Sequence, residues 1–331
     1  MTLVCVSRFN WEDYTPLKPI FLGIKVFEDY PLAELRHRID WTQFFRTWEL
    51  AGRFPQILED EIVGTEARSL YEDAQTMLDK IINQKWLKAR AVIGFFPANM
   101  VNDDDIQLYT DDNRTQVKTV LHHLRQQMPK TKQNPNLCLA DFISPKDDYI
   151  GAFAVTAGIG IDEHVSRFEQ DYDDYNSILI KALADRLAEA FAERMHERVR
   201  KEFWAYSADE NFSNEELIKE NYDGIRPAPG YPACPEHTEK TTLWELLEPD
   251  KNAGITMTDS FAMLPTAAVS GWYIAHPNAR YFGIGKVYKD QVEDYAKRKG
   301  MTVEEAERWL APNLGYDVAS NFVNSKRVIK K

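Results

Sequence analysis

Residues 226–237 read Arg-Pro-Ala-Pro-Gly-Tyr-Pro-Ala-Cys-Pro-Glu-His, a stretch in which Pro227, Pro229, Pro232 and Pro235 fix φ and withdraw backbone donors. The backbone groups that remain, those of Ala228 and Gly230, are held in fixed directions with little entropy left to lose on binding. Arg226 offers two parallel N–H donors to a carboxylate, Gly230 lets a ligand approach the main chain, and Tyr231 presents a flat face. The combination suits a zwitterionic amino-acid ligand that also carries a base recognised by main-chain groups. A plain structural crossover accounts for the prolines, and less readily for Arg226 and Gly230 together.

Outward from the loop, the longest periodic segment precedes it. Between Asp174 and Phe203, Leu179, Leu183, Leu187, Phe191, Met195, Val199 and Phe203 recur every four residues, while Lys181, Arg186, Glu193 and Glu197 fall elsewhere on the wheel. That spacing predicts a long helix packed on a sheet. Helical spacing recurs at 65–86, 115–127, 214–221, 241–247, 289–299 and 302–310, where Thr302 and Glu305 have the spacing of a capping box. Short apolar runs predict strands at 91–96, closed by Pro97, and at 106–109, 149–156, 255–261, 267–274 and 281–287. Several strands follow one another without a helix between them, which favours α+β with an antiparallel sheet over a doubly wound parallel sheet.

Composition excludes several classes. The chain has 331 residues, 44% hydrophobic and 28% charged, the balance of a folded protein with a large core, and its length alone suggests about two domains. A net charge of −12 repels phosphate backbones and anionic lipid heads, against general nucleic-acid or membrane-surface binding. The longest mostly apolar stretch, 150–161, is far short of the ~20 residues that span a bilayer, and residues 1–10 lack a signal-peptide pattern, so a cytoplasmic location is expected. Cys5, Cys138 and Cys234 are widely spaced and read as free thiols, and Cys234-x-x-His237 has no second pair to complete a metal site.

Other motifs have bland readings. Val155-Thr-Ala-Gly158-Ile-Gly160-Ile-Asp162 follows a strand like a nucleotide-binding turn but lacks the third glycine, and the acidic residues after it read as poorly helical. The pair of helices around Gly300 has a helix-turn-helix outline, with Glu304, Glu305 and Glu307 where a DNA-reading helix needs cations. Asp162-x-His164 and His122-His123 lack a companion nucleophile, so no hydrolase constellation emerges.

Arg226-x-x-x-Gly230-Tyr231-Pro-Ala-Cys-Pro-Glu-His resembles the S-adenosylmethionine-binding signature of the activation domain of cobalamin-dependent methionine synthases. Ile39-Asp40-Trp41-Thr42-Gln43-Phe44-Phe45 resembles the family's early Asp-Trp-x-x-Phe-Phe segment, and His276-Pro-Asn-Ala-Arg280-Tyr281-Phe282-Gly283-Ile284-Gly285 its late ligand-facing stretch. The likeness runs from about Tyr14 to Asp317, nearly the whole chain, with its motifs in the family's order.

The resemblance implies a single large α+β domain with a curved, mainly antiparallel sheet packed by helices, spanning 14–331 after a tail or module boundary at 1–13. It implies that Asp40, Arg226, Tyr281 and Phe282 contact S-adenosylmethionine, with the loop residues Ala228, Gly230 and Tyr231. Glu189 and Glu220 fall where the family has acidic residues near the ligand; for Glu189 an ordinary solvated helix position is an equal alternative. The implied role is reactivation. S-adenosylmethionine would be presented to cobalamin held by a partner domain, and flavodoxin or a related reductase would supply one electron to cob(II)alamin. The corrin-binding Asp-x-His-x-x-Gly has only a near match at Asp162-x-His164-x-x-Arg167, and the zinc cysteines of the homocysteine module are missing. The chain therefore resembles the reactivation module alone, with no catalytic or metal residue of its own expected. Two other classes stay open at this point: a self-sufficient small-molecule methyltransferase, and a docking module that does not bind S-adenosylmethionine.

Overall fold

The computed structural model describes residues 9–130 and 134–318. Cys5 and most of the proposed 1–13 segment lie outside them. The N-terminal part of the chain forms β1 (Gly23–Tyr30), α1 (Leu32–Arg36), α2 (Trp41–Thr47) and α3 (Gly64–Asn83). A run of strands follows: β2 (Lys88–Val101), β3 (Asp105–Tyr109), β4 (Val117–His122) and β5 (Asp148–Ile159). Then come α4 (Ile161–Gln170), α5 (Asp174–Arg198), α6 (Asn214–Ile218), α7 (Glu239–Leu247) and α8 (Pro249–Asn252). The short strands β6 (Thr256–Met257) and β7 (Met263–Leu264), β8 (Ala268–Tyr273), α9 (Lys289–Lys299) and α10 (Val303–Trp309) complete the described chain.

Six strands make one sheet in the order β4-β3-β2-β5-β8, with β1 also on β2, and every pairing is antiparallel. The long β2 carries two partners along one flank: β1 pairs as far as Phe95 and β3 begins at Ala98. Pro97 sits in the gap between them, so the strand runs through the proline instead of ending there; a missing N–H is tolerated where a flank has no partner to lose.

Alternation along the central strands assigns each side chain to a face. Ala91, Ile93 and Phe95 of β2, with Tyr149, Phe153 and Val155 of β5, join a core built with α1, α2, α3 and α5. Val92, Phe96 and Ala98, with Ile150, Ala152 and Ala154, join a second core under α7 and the 137–143 segment. All seven residues of the four-residue repeat in α5, from Leu179 to Phe203, are buried in the first core. Glu193 and Glu197, which fall off the predicted apolar stripe, are buried too. Alanines at 182, 184, 188, 190 and 192 let neighbours close around the helix on most sides. The helix ends in a π turn, Val199–Phe203, that carries Arg200 into the interior.

Several local expectations give way. Residues 115–127 are not a helix: 117–122 form edge strand β4, its Leu121 opposite Ile106 of β3. The apolar spacing of Val117, Val120, Leu121 and Leu124 mimics a helix, but in a β-branched run the open edge of β3 decides. Residues 281–287 are irregular, with one bridge from Val287 to Leu314, because Gly285 adopts φ +73° and the segment is tied to the loop instead of to a strand. At 255–261 only Thr256 and Met257 pair, in a separate two-stranded ribbon with β7. The acidic segment after Gly160 is helical, as α4; Gly160, at φ +93°, approaches the Trp86 carbonyl so closely that an added Cβ would stand 2.9 Å from it. The Thr302 hydroxyl caps α10 by accepting from Glu305 N at 3.1 Å, while the Glu305 carboxylate turns to Arg308, at 3.9 Å. The pair α9 and α10 packs through its own small core, and Arg298 and Lys299 at the end of α9 point inward, onto Asp105 and onto Glu236 and Glu239.

One close approach joins the sheet to the proline loop. Ile225 exchanges two backbone hydrogen bonds with Ile274, and Trp272 N donates to Pro227 O at 2.8 Å, so residues 225–227 extend the sheet beside β8. An added Cβ on Gly271 would lie 2.5 Å from that Pro227 oxygen. Gly271→Ala is therefore expected to cost about 1–3 kcal/mol of unfolding free energy by forcing the loop off the strand. Exposed Gly283, whose added Cβ meets only Pro232 at 3.6 Å, serves as control; Gly283→Ala should stay within about 0.5 kcal/mol in the same urea titration.

Candidate functional site

Beyond Pro227 the loop closes on itself. Tyr231 N donates to Ala228 O at 3.2 Å, Cys234 N to Tyr231 O at 2.9 Å and Gly230 N to Cys234 O at 2.8 Å. Gly230 adopts φ +94°, and an added Cβ would strike the His237 ring at 2.5 Å. Its lack of a side chain thus serves the turn and the packing of His237. The late stretch clamps the loop from outside: Ile284 N donates to Pro232 O at 2.8 Å, and Arg226 N donates to the Tyr281 hydroxyl at 3.0 Å.

Between loop, late stretch and α5 lies a cavity of about 470 Å³. Its lining includes Arg226, Ala228, Tyr231, Tyr281, Phe282, Glu189 and Glu220 among the expected residues, and Phe153, Pro232 and Val269 beyond them. Three polar side chains thus meet an aromatic wall, and Phe153 supplies the floor from β5. Two expected residues stand apart. Gly230 is not on the cavity wall. Asp40 lines a smaller adjoining depression of about 140 Å³ that shares Glu189, Glu220 and Arg226 with the cavity. Asp40 also caps α2, accepting from Thr42 N at 2.9 Å and from Gln43 N at 3.4 Å.

Arg226 is the most heavily engaged group. Its Nη2 pairs with Glu193 at 2.8 Å, and its Nη1 donates to the Tyr222 hydroxyl at 2.7 Å and to His196 Nδ1 at 3.3 Å. The fork read from the sequence as open is thus half occupied by its own protein, leaving Nε and the rest of Nη2. His196 is fully buried; desolvation first, then Arg200 and Arg226, hold its pKa well below the usual histidine range, so it is neutral. The Glu220 carboxyl is raised, chiefly by desolvation, with Arg226 opposing and Glu193 reinforcing the shift.

Sequence reading missed Glu193, Tyr222 and His196. A signal existed for Glu193: a carboxylate among alanines and phenylalanine on a helix buried nearly all round demands a cation. Tyr222 and His196 had none, because their role depends on where α5 and the 219–225 segment cross. Cys138 and Cys234 are free and buried, and among the described residues no group of three His, Cys, Asp or Glu could hold a metal ion. No described helix is long and apolar enough to cross a membrane.

Comparison with known proteins places this arrangement. Residues 31–300 match the family described as the activation domain of vitamin B12 dependent methionine synthase. A crystal structure of the MetH reactivation domain bound to AdoHcy is 59% identical, covers 95% of this chain and 97% of that one, and superposes with a TM-score of 0.92. With a proline loop laid on an antiparallel sheet, and a family match over residues 31–300, this chain belongs to the activation-domain family of B12-dependent methionine synthases.

Proposed function

We propose that residues 14–331 bind S-adenosylmethionine in the cavity beside the 226–235 loop and present its methyl group to cobalamin held by the cobalamin-binding domain of methionine synthase. Flavodoxin or a flavodoxin-like reductase, in the cytoplasm, delivers the electron. The reaction served is the transfer of methyl from 5-methyltetrahydrofolate to homocysteine, which this chain does not carry out alone. The observation behind the reading is the company of side chains lining one cavity: a guanidinium, two carboxylates and four aromatic rings.

Each group answers a part of the ligand. Arg226 takes the carboxylate, Glu189, Glu220 and Asp40 favour the ammonium and sulfonium charges, and Tyr231, Tyr281 and Phe282 cover the adenine while the main chain of Ala228 reads its edge and Gly230 shapes the turn beside it. The related MetH domain holds AdoHcy, which has the same adenosine and amino-acid groups. Cobalamin held by the partner domain would, once reduced by one electron, supply the nucleophile for the sulfonium methyl, with neutral S-adenosylhomocysteine as the leaving group. This chain's part is to fix the direction of the methyl group, because a strong nucleophile and a neutral leaving group need alignment more than an acid or base.

Arg226→Ala should weaken S-adenosylmethionine by about one to two decades, the loss of a charge-assisted contact of roughly 1.5–3 kcal/mol. Unchanged affinity in titration calorimetry rejects the carboxylate role. For Glu220 the sign follows from its raised pKa: the cationic ligand binds the ionised carboxylate, so affinity falls as pH drops through that elevated range and binding releases a proton. Glu220→Gln should flatten this dependence. A wild-type pH profile retained in the variant assigns the titration elsewhere.

A further inference from the structure

Behind Arg226 stands a group whose placement is costly. Arg200 is fully buried and pairs through Nε alone with Glu210, at 2.8 Å, while its Nη1 and Nη2 have no partner within the described residues. Leaving guanidinium N–H groups unmatched in an interior is unfavourable, so the position calls for an explanation. Its guanidinium carbon lies 4.0 Å from the centre of the Tyr222 ring, within the range of a desolvated cation–π contact. The π turn at 199–203 is what carries Arg200 to that point; such single π turns commonly mark functional positions.

Tyr222 is fixed on two sides. Arg200 covers one face of its ring, and the His196 imidazole meets it edge-on with ring centres 5.0 Å apart. The hydroxyl of this immobilised ring then accepts from Arg226 Nη1 at 2.7 Å, and His196 Nδ1 accepts from the same nitrogen at 3.3 Å. Both hydrogens of Nη1 are thereby used, and Nη2 stands in an ion pair with Glu193. What is left to a ligand is the edge formed by Nε–H and Nη2, adjacent donors in the guanidinium plane. An arginine with only Glu193 as partner could rotate about that contact; one held also at Nη1 cannot.

We infer that Tyr222, locked by Arg200, is a positioning residue: it orients the Arg226 guanidinium so that its free edge meets the ligand carboxylate. The inference rests on the carboxylate role proposed for Arg226 and adds a residue outside the cavity lining. It makes Tyr222 a determinant of how strongly the site discriminates ligands that carry the amino-acid moiety from ligands that lack it.

The test uses this chain and two probes, S-adenosylhomocysteine and 5′-methylthioadenosine, which keeps the adenosine and thioether but has no carboxylate. Tyr222→Phe keeps the ring under Arg200 and removes only the acceptor oxygen. It should weaken S-adenosylhomocysteine about 5- to 20-fold in titration calorimetry, as the partial loss of a charged hydrogen bond does, and leave methylthioadenosine within about twofold. A merely structural role moves both probes together or neither, and either result overturns the inference. Arg226→Ala is measured alongside. If it discriminates between the probes and Tyr222→Phe does not, the positioning role fails and the reading of Arg226 stands; if neither discriminates, the reading fails and takes this inference with it.

Discussion

The ion pair between Arg226 and Glu193, 2.8 Å apart and largely shut away from water, ties the proline loop to the long helix. Such a pair adds little net stability over a well-packed apolar contact, but removing one partner strands a buried charge and costs about 3–5 kcal/mol. Its effect is therefore to fix position. The loop is held against β8 and α5 at two points, by Pro227 O on Trp272 N and by Arg226 on Glu193. The cavity is the space left between two elements held at a set separation, which is why its wall mixes residues from β5, α5, the loop and the late stretch.

That geometry depends on a sheet buried on both faces. Small residues at 89, 91, 98, 152, 154 and 157 let helices approach closely, and Gly271 removes the last obstacle, a side chain where the loop carbonyl must sit. The prolines of the loop act at the same place for a related reason. An added edge segment that cannot continue the ladder needs few backbone donors, so a proline-rich chain can lie on β8 without leaving N–H groups unmatched.

Much of this was legible in the sequence, and what was not has a common cause. The four-residue repeat of α5 reported its core face because burial there is set by the helix itself. Arg226, Ala228 and Tyr231 of the loop line the cavity, and with Glu189, Glu220, Tyr281 and Phe282 they make seven of the nine residues that the resemblance implied. The failures needed knowledge of a neighbour. Residues 117–122 become a strand only because β3 offers an edge, and 281–287 leave the sheet because the loop competes for their backbone, through Pro232 O. Glu193 lies off the predicted apolar stripe, and only the fold brings Arg226 to it. Asp40 is the reverse case: the motif was recognisable, yet its first duty here is to cap α2.

The charges around the cavity are counted out in a way that leaves its lining carboxylates uncompensated. Arg226 can only donate, so His196 Nδ1 accepts and its proton resides on Nε2, toward the Tyr206 oxygen at 3.4 Å. The imidazole stays neutral between two guanidinium groups, since a third cation in that volume would be repelled as well as desolvated. Glu193 is matched to Arg226 and Glu210 to Arg200. Glu189 and Glu220 have no ion-pair partner within the described residues, although both line the cavity. A site arranged in this way offers a cationic ligand two free carboxylates and one half-free guanidinium. On the proposed reading, a cationic sulfonium would gain from those carboxylates in a way that its neutral demethylated product cannot, so loss of the methyl group itself would weaken the hold on what remains.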